Sequence, residues 1–252
     1  MERIFCAGVT PAMEYACSHL ESRGFEISSE SPAQAKHLLL DVPSFSSDGK
    51  LLGGGEWMDL LKHLNGSGFV WGGNLDMTIP AEYRAFDLLK DASYLAENAY
   101  ITAESVLDVI LPRFSGLLRG CPVLVIGWGR IGKCLASLFR RLDAEVTVAA
   151  RKESDRAMAE ALGYQAVDTG RIRESISRYR LILNTVPAPV LGRDEISLCC
   201  PDCLKVELAS APGMEGDDIL TARGLPGKYR PEASGKLIAD TMLRIMSKEG
   251  LL

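Results

Sequence analysis

Short apolar runs alternate along the chain with longer segments in which apolar positions recur at helical spacing. The runs RIFCAGV (3–9), HLLLDV (37–42) and GFVWGG (68–73) predict buried strands in the N-terminal part. After the first run, Thr10 is a typical helix N-cap and Pro11 a typical first helical residue, and Gly24 is typical of a helix end. The repeated order of strand, helix and strand predicts a parallel sheet covered by helices.

The same alternation resumes after a long helix predicted at about 91–115, which Pro112 and Gly116 terminate. CPVLVIGWG (121–129) is a continuous apolar strand of the kind found inside a doubly wound sheet. A helix is predicted for RIRESISRY (171–179), and a last one at about 233–248. We therefore predict an α/β fold with two doubly wound parallel sheets. They form a short N-terminal flavodoxin-like domain on the substrate side (1–95) and a C-terminal Rossmann domain (96–252), with a ligand cleft between them.

Composition argues against several classes of binding partner. A net charge of −5 and an isoelectric point near 5.4 argue against binding to nucleic acid, and no apolar stretch is long enough to predict a membrane span. Seven cysteines without a compact spacing, and an N-terminus that lacks a signal-peptide layout, favour a reduced, cytoplasmic protein. Histidines lie far from the CCPDC segment, so no metal site is predicted. A basic stretch is interpreted as a solvated helix face: Arg171, Arg173, Arg178 and Arg180.

The segment after the central strand has the spacing of a dinucleotide-binding loop. Gly127, Gly129 and Gly132 form G-x-G-x-x-G between a predicted strand and a predicted helix. Their expected roles are a tight turn, close approach of a pyrophosphate, and close packing of helix on strand. The predicted loop ligands of the cofactor are Gly127, Trp128, Gly129, Arg130, Ile131 and Gly132. The alternative is a glycine-rich turn without a ligand.

The end of the next strand lacks the acidic residue that usually binds an adenosine ribose. Ala149 and Ala150 are followed by Arg151 and Lys152. A guanidinium there can hold a 2′-phosphate through two N–H groups, which favours NADP(H) over NAD(H). The alternative is that Arg151 is an ordinary surface residue and Glu153 binds the ribose.

Residues at the ends of later strands are candidates for the nicotinamide and substrate side. No residue can be assigned as the acid or the base. All three histidines precede the glycine loop, which argues against a 2-hydroxy-acid dehydrogenase with its late histidine. The expected contacts near the nicotinamide are Asn184, Thr185, Val186 and Pro187. The weaker substrate candidates are Asn98, Thr102, Ser210, Lys228 and Arg230, with Ser44, Ser46 and Ser47 from an N-terminal loop.

Four segments together resemble the A-subunit family of dipicolinate synthase: VLVIGWGRIGKCLA (123–136), LILNTVPAPVL (181–191), VELASAPG (206–213) and GLPGKYRPEASGKLIAD (224–240). AENAYITAESVLDVIL (96–111) resembles that family's interdomain helix. The resemblance covers residue 90 to the end and is vaguer over the first 80. The chain departs from the family pattern on the substrate side, at Ser105, Met214, Glu232 and Ser234.

The resemblance implies an NADP-dependent oxidation of dihydrodipicolinate, a small cyclic dicarboxylate, to dipicolinate during bacterial sporulation. It also implies that the partner is a flavoprotein-like B subunit and that the location is the mother-cell cytoplasm; a homo-oligomer is a further possibility. Two alternatives stay open: another NADP-linked oxidoreductase of 2-hydroxy-acid-dehydrogenase-like architecture, and a catalytically silent NADP-binding partner or sensor.

Overall fold

Two parallel β-sheets organise the chain in the computed structural model, which describes residues 2–29, 35–46, 48–62, 64, 68–75 and 79–252. The contacts between residues divide it into two units. The first unit is Met1–Ile101 together with Pro226–Leu252, and the second is Thr102–Leu225. The predicted α/β class with two doubly wound parallel sheets is confirmed.

The first unit contains a sheet of strand order β2-β1-β3-β4-β5, in which each pair of neighbours is parallel. This is the flavodoxin-like order. Among the apolar runs, His37–Leu39 and Phe69–Gly72 are fully buried strands. The bounds are β1 Arg3–Cys6, α1 Pro11–Ser22, β2 Glu26–Ser28, β3 His37–Leu39, α2 Trp57–Lys62, β4 Phe69–Gly72 and β5 Arg84–Asp87. Helix α3, Ala92–Ile110, begins in this unit, and its residues from Thr102 onward belong to the second.

Helix α3 is the long helix expected at about 91–115, and it ends at Ile110, just before Pro112. The amides of Arg113 and Phe114 both donate to the carbonyl of Ile110 and close its last turn. Proline has no N–H to continue a helix and disfavours helical backbone at the residue before it. The helix therefore stops before Pro112 and does not reach Gly116.

The second unit contains a sheet of order β11-β10-β9-β6-β7-β8, also parallel throughout. Read from β8, this is the strand order of a dinucleotide-binding sheet. The bounds are β6 Pro122–Ile126, α4 Arg130–Arg141, β7 Glu145–Ala149, α5 Glu153–Ala161, β8 Gln165–Val167, β9 Leu181–Asn184, α6 Arg193–Ser197, β10 Leu204–Glu207 and β11 Ile219–Thr221. The short helix α7, Leu225–Tyr229, follows, and all of it after Leu225 belongs to the first unit.

The helix predicted over residues 171–179 is two short 3-10 segments, Thr169–Glu174 and Ile176–Arg178. Ser175 has a φ of −134°, which interrupts the helical backbone between them. The basic stretch is therefore not one face of an α-helix. Arg171 pairs with Glu174, whereas Arg178 donates to the side chains of Thr147 and Gln165 on the sheet.

The C-terminal helix α8 spans Pro231–Lys248 and belongs to the first unit. It packs along α1, where a Cβ added to Gly235 would lie 2.2 Å from the carbonyl oxygen of Ala12. Arg244 also pairs with Asp91 at 2.7 Å. We expected a single boundary at residues 95 and 96 with this helix in the second domain. The apolar face of α8 instead completes the core of the first unit.

Candidate functional site

The carboxyl edge of the second unit's sheet carries the glycine loop between β6 and α4. Gly127 has a φ of +105°, and a Cβ there would lie 2.4 Å from the Thr185 hydroxyl. A Cβ on Gly132 would lie 2.1 Å from the carbonyl oxygen of Gly127. The fold therefore requires glycine at both positions, one for backbone conformation and one for close packing of α4 on the loop.

Gly129 differs from these two glycines, because no contact with the described residues requires it. Its φ of −77° is open to any residue, and an added Cβ would meet none of their heavy atoms within 4 Å. The residue is exposed and is the N-cap of α4. The following amides, from Arg130, Ile131 and Gly132, lie in the first turn, where a helix leaves N–H groups without internal partners. The first turn of α4 contains no acidic residue. The result is an open, donor-rich surface suited to an anion.

Trp128 contributes backbone, rather than its side chain, to this surface. Only 8% of the residue is exposed, and its ring packs edge-on against Tyr164 with 5.7 Å between centroids. The ammonium of Lys133 lies 5.7 Å from the Trp128 centroid. Within the described part of the chain, the buried indole N–H has no hydrogen-bond partner. The buried Trp128 indole therefore supports the backbone of the glycine loop.

Arg151 and Lys152 are exposed in the turn between β7 and α5. Ala150 before them is buried. No acceptor among the described residues lies within hydrogen-bonding distance of the Arg151 guanidinium, while the carbonyl of Arg151 accepts from Arg156. Glu153, the alternative ribose ligand, is exposed at the first position of α5. The turn thus presents two cations beside the carboxyl end of β7.

Asn184, an expected contact near the nicotinamide, has its side-chain amide bonded within the protein. It is fully buried at the end of β9. Its Nδ2 donates to both carboxylate oxygens of Glu207, at 2.9 and 3.0 Å, and to the carbonyl of Val186. Its Oδ1 accepts from the amide of Val186. Asn184 therefore orders the following loop, in which Val186 is half-buried and Pro187 is exposed.

Thr185 likewise contributes to the framework of the loop. Its hydroxyl donates to the carbonyl of Ile126 at 2.9 Å, and its backbone N–H donates to the same oxygen. The side chain therefore lies directly beneath the turn at Gly127 and joins the ends of β6 and β9.

Glu207 is the residue that sequence reasoning missed. It ends β10, is 2% exposed, and accepts five hydrogen bonds. Two come from Asn184, and the others come from the amides of Ala209, Gly213 and Met214. A buried carboxylate needs this number of donors. The available signal was an acidic residue inside the apolar segment LKVELA, four residues after Cys203.

The predicted substrate candidates are distributed over both units. On α3, Asn98 is half-buried and Thr102 is 8% exposed, and both make contacts within the protein. Ser210 is exposed in the loop after β10. Lys228 is exposed, with its ammonium 5.2 Å from the centroid of Tyr229. Asn98 and Lys228 belong to the first unit, and Thr102 and Ser210 to the second.

The other candidates lie in the first unit. Arg230 is half-buried and donates to the carbonyl of Tyr229. Ser44 is fully buried; it donates to the Asp41 carbonyl and accepts from the amide of Gly73, so it is structural. Ser46 is half-buried on the same loop and donates to the Asp48 carboxylate, and Ser47 lies outside the described residues.

The two described histidines have partners within the first unit. His19 Nε2 lies 2.9 Å from Asp240, and the fully buried His37 lies between Glu2 and the Trp71 indole. His63 lies outside the described residues. Within the described ranges, no group of three or more His, Cys, Asp and Glu side chains is arranged to hold a metal ion. None of the helices described is long and apolar enough to cross a membrane.

Comparisons with known proteins confirm the resemblance seen in the sequence. No protein-family model matches the chain. It is 28% identical to the A subunit of dipicolinate synthase from Bacillus subtilis (strain 168) over 159 residues, which are 60% of this chain and 54% of that protein. The chain therefore spans about half the length of this curated relative in the sequence match.

Solved structures show the same fold over nearly the whole chain. The A subunit of dipicolinate synthase from Bacillus halodurans has a TM-score of 0.82 at 18% identity, with 97% of both chains covered. The corresponding polypeptide of the Bacillus subtilis enzyme has a TM-score of 0.79 at 21% identity, covering 98% of this chain and 96% of the other. A transhydrogenase from Sinorhizobium meliloti has a TM-score of 0.71 at 14% identity, covering 98% and 94%. At these identities the likeness establishes the fold.

Proposed function

We propose that the chain is an NADP-dependent dehydrogenase of the dipicolinate synthase type, which oxidises dihydrodipicolinate to dipicolinate. The observation that carries the proposal is Gly129, a glycine that the fold does not need, at an open helix N-terminus. A pyrophosphate approaching the backbone is the reason for glycine at this place in a dinucleotide-binding loop. The resemblance to the A subunit of that enzyme supports the choice of reaction.

The residues present fit an NADP(H) cofactor. The first-turn amides of α4 would donate to the pyrophosphate. Arg151, with Lys152 beside it, would hold the adenosine 2′-phosphate. Val186 and Pro187 would border the nicotinamide, and Asn184 would act by holding their loop. Bound NADP⁺ would supply the acceptor for the hydride that leaves the dihydropyridine ring, while one proton is released and the ring becomes aromatic.

Aromatisation reduces the need for a strong general base, so substrate placement would supply much of the rate. The two substrate carboxylates call for cations or oriented donors. We propose Lys228 and Arg230 for that role, with Asn98, Thr102 and Ser210 as weaker candidates. Partnership with a B subunit, together with action in the mother-cell cytoplasm during sporulation, belongs to the same proposal.

The first test is a titration of the chain with NADP⁺ and NAD⁺, followed by protein fluorescence. We expect NADP⁺ to bind at least about tenfold more tightly, and Arg151→Gln to remove most of that preference, a difference of about 1.4 kcal/mol. Equal or tighter binding of NAD⁺ would refute the cofactor assignment.

The second test addresses the reaction. Fresh dihydrodipicolinate and NADP⁺ are mixed with the chain, with and without a B-type partner, and NADPH absorbance is followed. Growth of the signal in either mixture is expected. Its absence in both would refute the proposed activity even if NADP⁺ binds.

A binding-only protein is the second candidate, and one observation favours it. Both described histidines have structural partners in the first unit, so neither is an evident acid or base. Tight binding of NADP⁺ without turnover of any cyclic imine would support this candidate over the dehydrogenase.

A further inference from the structure

A second arginine holds the turn that carries Arg151. Arg156 lies on α5, five residues after Arg151, and its side chain is 23% exposed. Its Nη1 donates to the carbonyl of Ala150 at 2.9 Å and to the carbonyl of Arg151 at 2.8 Å. These contacts fix the backbone from which the Arg151 side chain extends.

The same nitrogen also pairs with a carboxylate from the neighbouring strand. Asp168 directly follows β8, and β8 pairs with β7 so that Val167 lies opposite Ala149. Arg156 Nη1 lies 2.6 Å from Asp168 Oδ2. One nitrogen atom of Arg156 therefore contacts both the Asp168 carboxylate and the Arg151 carbonyl. Asp168 thus lies at the edge of the sheet where we propose that the adenosine ribose binds.

Both carboxylate oxygens of Asp168 have partners within the protein. Oδ2 is in the ion pair with Arg156, and Oδ1 accepts from the amide of Gly170 at 2.8 Å. An unneutralised carboxylate at this edge would repel a 2′-phosphate and would be free to accept hydrogen bonds from ribose hydroxyls. The ion pair suppresses both effects.

We propose that Arg156 is a positioning residue that determines cofactor specificity. It holds the Arg151 turn through two carbonyls and neutralises Asp168, so that the site takes a 2′-phosphorylated dinucleotide. The proposal rests on the proposed function, because it concerns the same cofactor site. It adds a residue for which the sequence pattern gave no indication.

The test compares dissociation constants for NADP⁺ and NAD⁺ in variants of this group. For Arg156→Gln we expect NADP⁺ affinity to fall about tenfold or more, with NAD⁺ affinity within about threefold of wild type or higher. Adding Asp168→Asn to Arg156→Gln should recover part of the loss, because the exposed negative charge is removed. Arg156→Lys, which keeps the charge without the planar fork, should give an intermediate ratio.

Arg173→Gln is the matched control. Arg173 is exposed, pairs with Glu195, and lies in the same segment after β8. Its loss changes net charge equally but leaves the turn intact, so the ratio of the two affinities should not change. Thermal unfolding of every variant shows whether the fold is retained, and Arg156→Lys carries the test if Arg156→Gln does not fold.

The outcomes separate the two proposals. If wild type prefers NADP⁺ but Arg156→Gln and Arg156→Lys leave the NADP⁺ to NAD⁺ ratio unchanged, Arg156 is only structural and the inference is wrong. Failure of the double variant to recover any affinity would overturn the role assigned to Asp168. If wild type itself shows no preference for NADP⁺, the cofactor assignment falls instead.

Discussion

Replacing Gly129 by alanine distinguishes a glycine that a ligand needs from one that the fold needs. The backbone at Gly129 has φ −77° and ψ −169°, and an added Cβ would meet no heavy atom of the described part of the chain within 4 Å. Loss of the glycine N-cap costs about 0.5–1 kcal/mol, while fewer unfolded conformations return about 0.4–1 kcal/mol. We therefore expect the free energy of unfolding to change by less than about 1 kcal/mol, or roughly 4 °C in melting temperature.

Cofactor affinity should respond much more strongly. The new methyl group would occupy the space through which a pyrophosphate reaches the first-turn amides of α4. We expect NADP⁺ binding to weaken at least about tenfold, which is about 1.4 kcal/mol. Fluorescence titration measures the dissociation constant, and thermal unfolding of the same samples measures stability.

Two other glycines provide controls for Gly129→Ala. Gly192 is the N-cap of α6 with nearly the same backbone, φ −79° and ψ 178°, and no ligand is proposed there. A Cβ on Gly192 would lie 3.2 Å from the end of the flexible Glu195 side chain, so Gly192→Ala should change stability modestly and leave NADP⁺ affinity unaltered. Gly132→Ala should destabilise the second unit, because its Cβ meets the Gly127 carbonyl at 2.1 Å. If Gly129→Ala binds NADP⁺ as tightly as wild type, the pyrophosphate does not lie at this helix end and our reasoning is refuted.

Three further predictions concern stability. Glu207→Ala removes two acceptors of the Asn184 amide and leaves buried backbone N–H groups unpaired, so urea denaturation should show that the free energy of unfolding falls by about 3–5 kcal/mol; a fall below about 1 kcal/mol would contradict this. Burial lowers the pKa of His37 below its ordinary value of 6.5, and the Trp71 N–H favours the neutral ring. The unfolded chain therefore takes up this proton more readily than the folded one, so the contribution of His37 to stability should be constant above about pH 6.5 and fall as the pH decreases below it. Denaturation at about pH 7.5 and about pH 5 should show this fall, and His37→Gln should reduce it. Gly235→Ala should lower the free energy of unfolding by about 1–3 kcal/mol, and the melting temperature by several degrees, because its Cβ meets the Ala12 carbonyl. Gly227→Ala is the control, because a Cβ there meets open space.

Local patterns in the sequence predicted the parts of the fold that local physics determines. The helix from Pro11 to Ser22 begins at the predicted proline and is followed by Gly24 at φ +91°. Thr10 stands at the N-cap position, but its hydroxyl donates to Asp41 instead of to the helix. The glycine loop likewise has the backbone that its spacing predicts. The backbone conformation of each feature depends on residues within one turn or one loop, so a local sequence pattern can predict it.

The features that were not predicted depend on contacts between distant residues. Asn184 and Glu207 are 23 positions apart and meet only because β9 and β10 are neighbours in the sheet. The packing of α8 on α1 joins the two ends of the chain. Strands such as β2 and β11 have three residues each and depend on pairing with a neighbouring strand rather than on an apolar run of their own.

Mutations at the two ends of the proposed cofactor site, along the carboxyl edge of the second unit's sheet, should therefore have different effects. At the adenosine end, Arg151 is exposed, so Arg151→Gln should weaken NADP⁺ binding and leave the free energy of unfolding within about 0.5 kcal/mol of wild type. At the other end, Asn184 is fully buried and donates to Glu207, so Asn184→Ala leaves a buried carboxylate short of donors and should cost about 2–4 kcal/mol of stability. NADP⁺ affinity would then fall only as far as the loop after β9 loses its order. If Asn184→Ala abolished binding while its urea denaturation matched wild type, Asn184 would touch the cofactor directly, and the role we assign to its buried amide would be wrong.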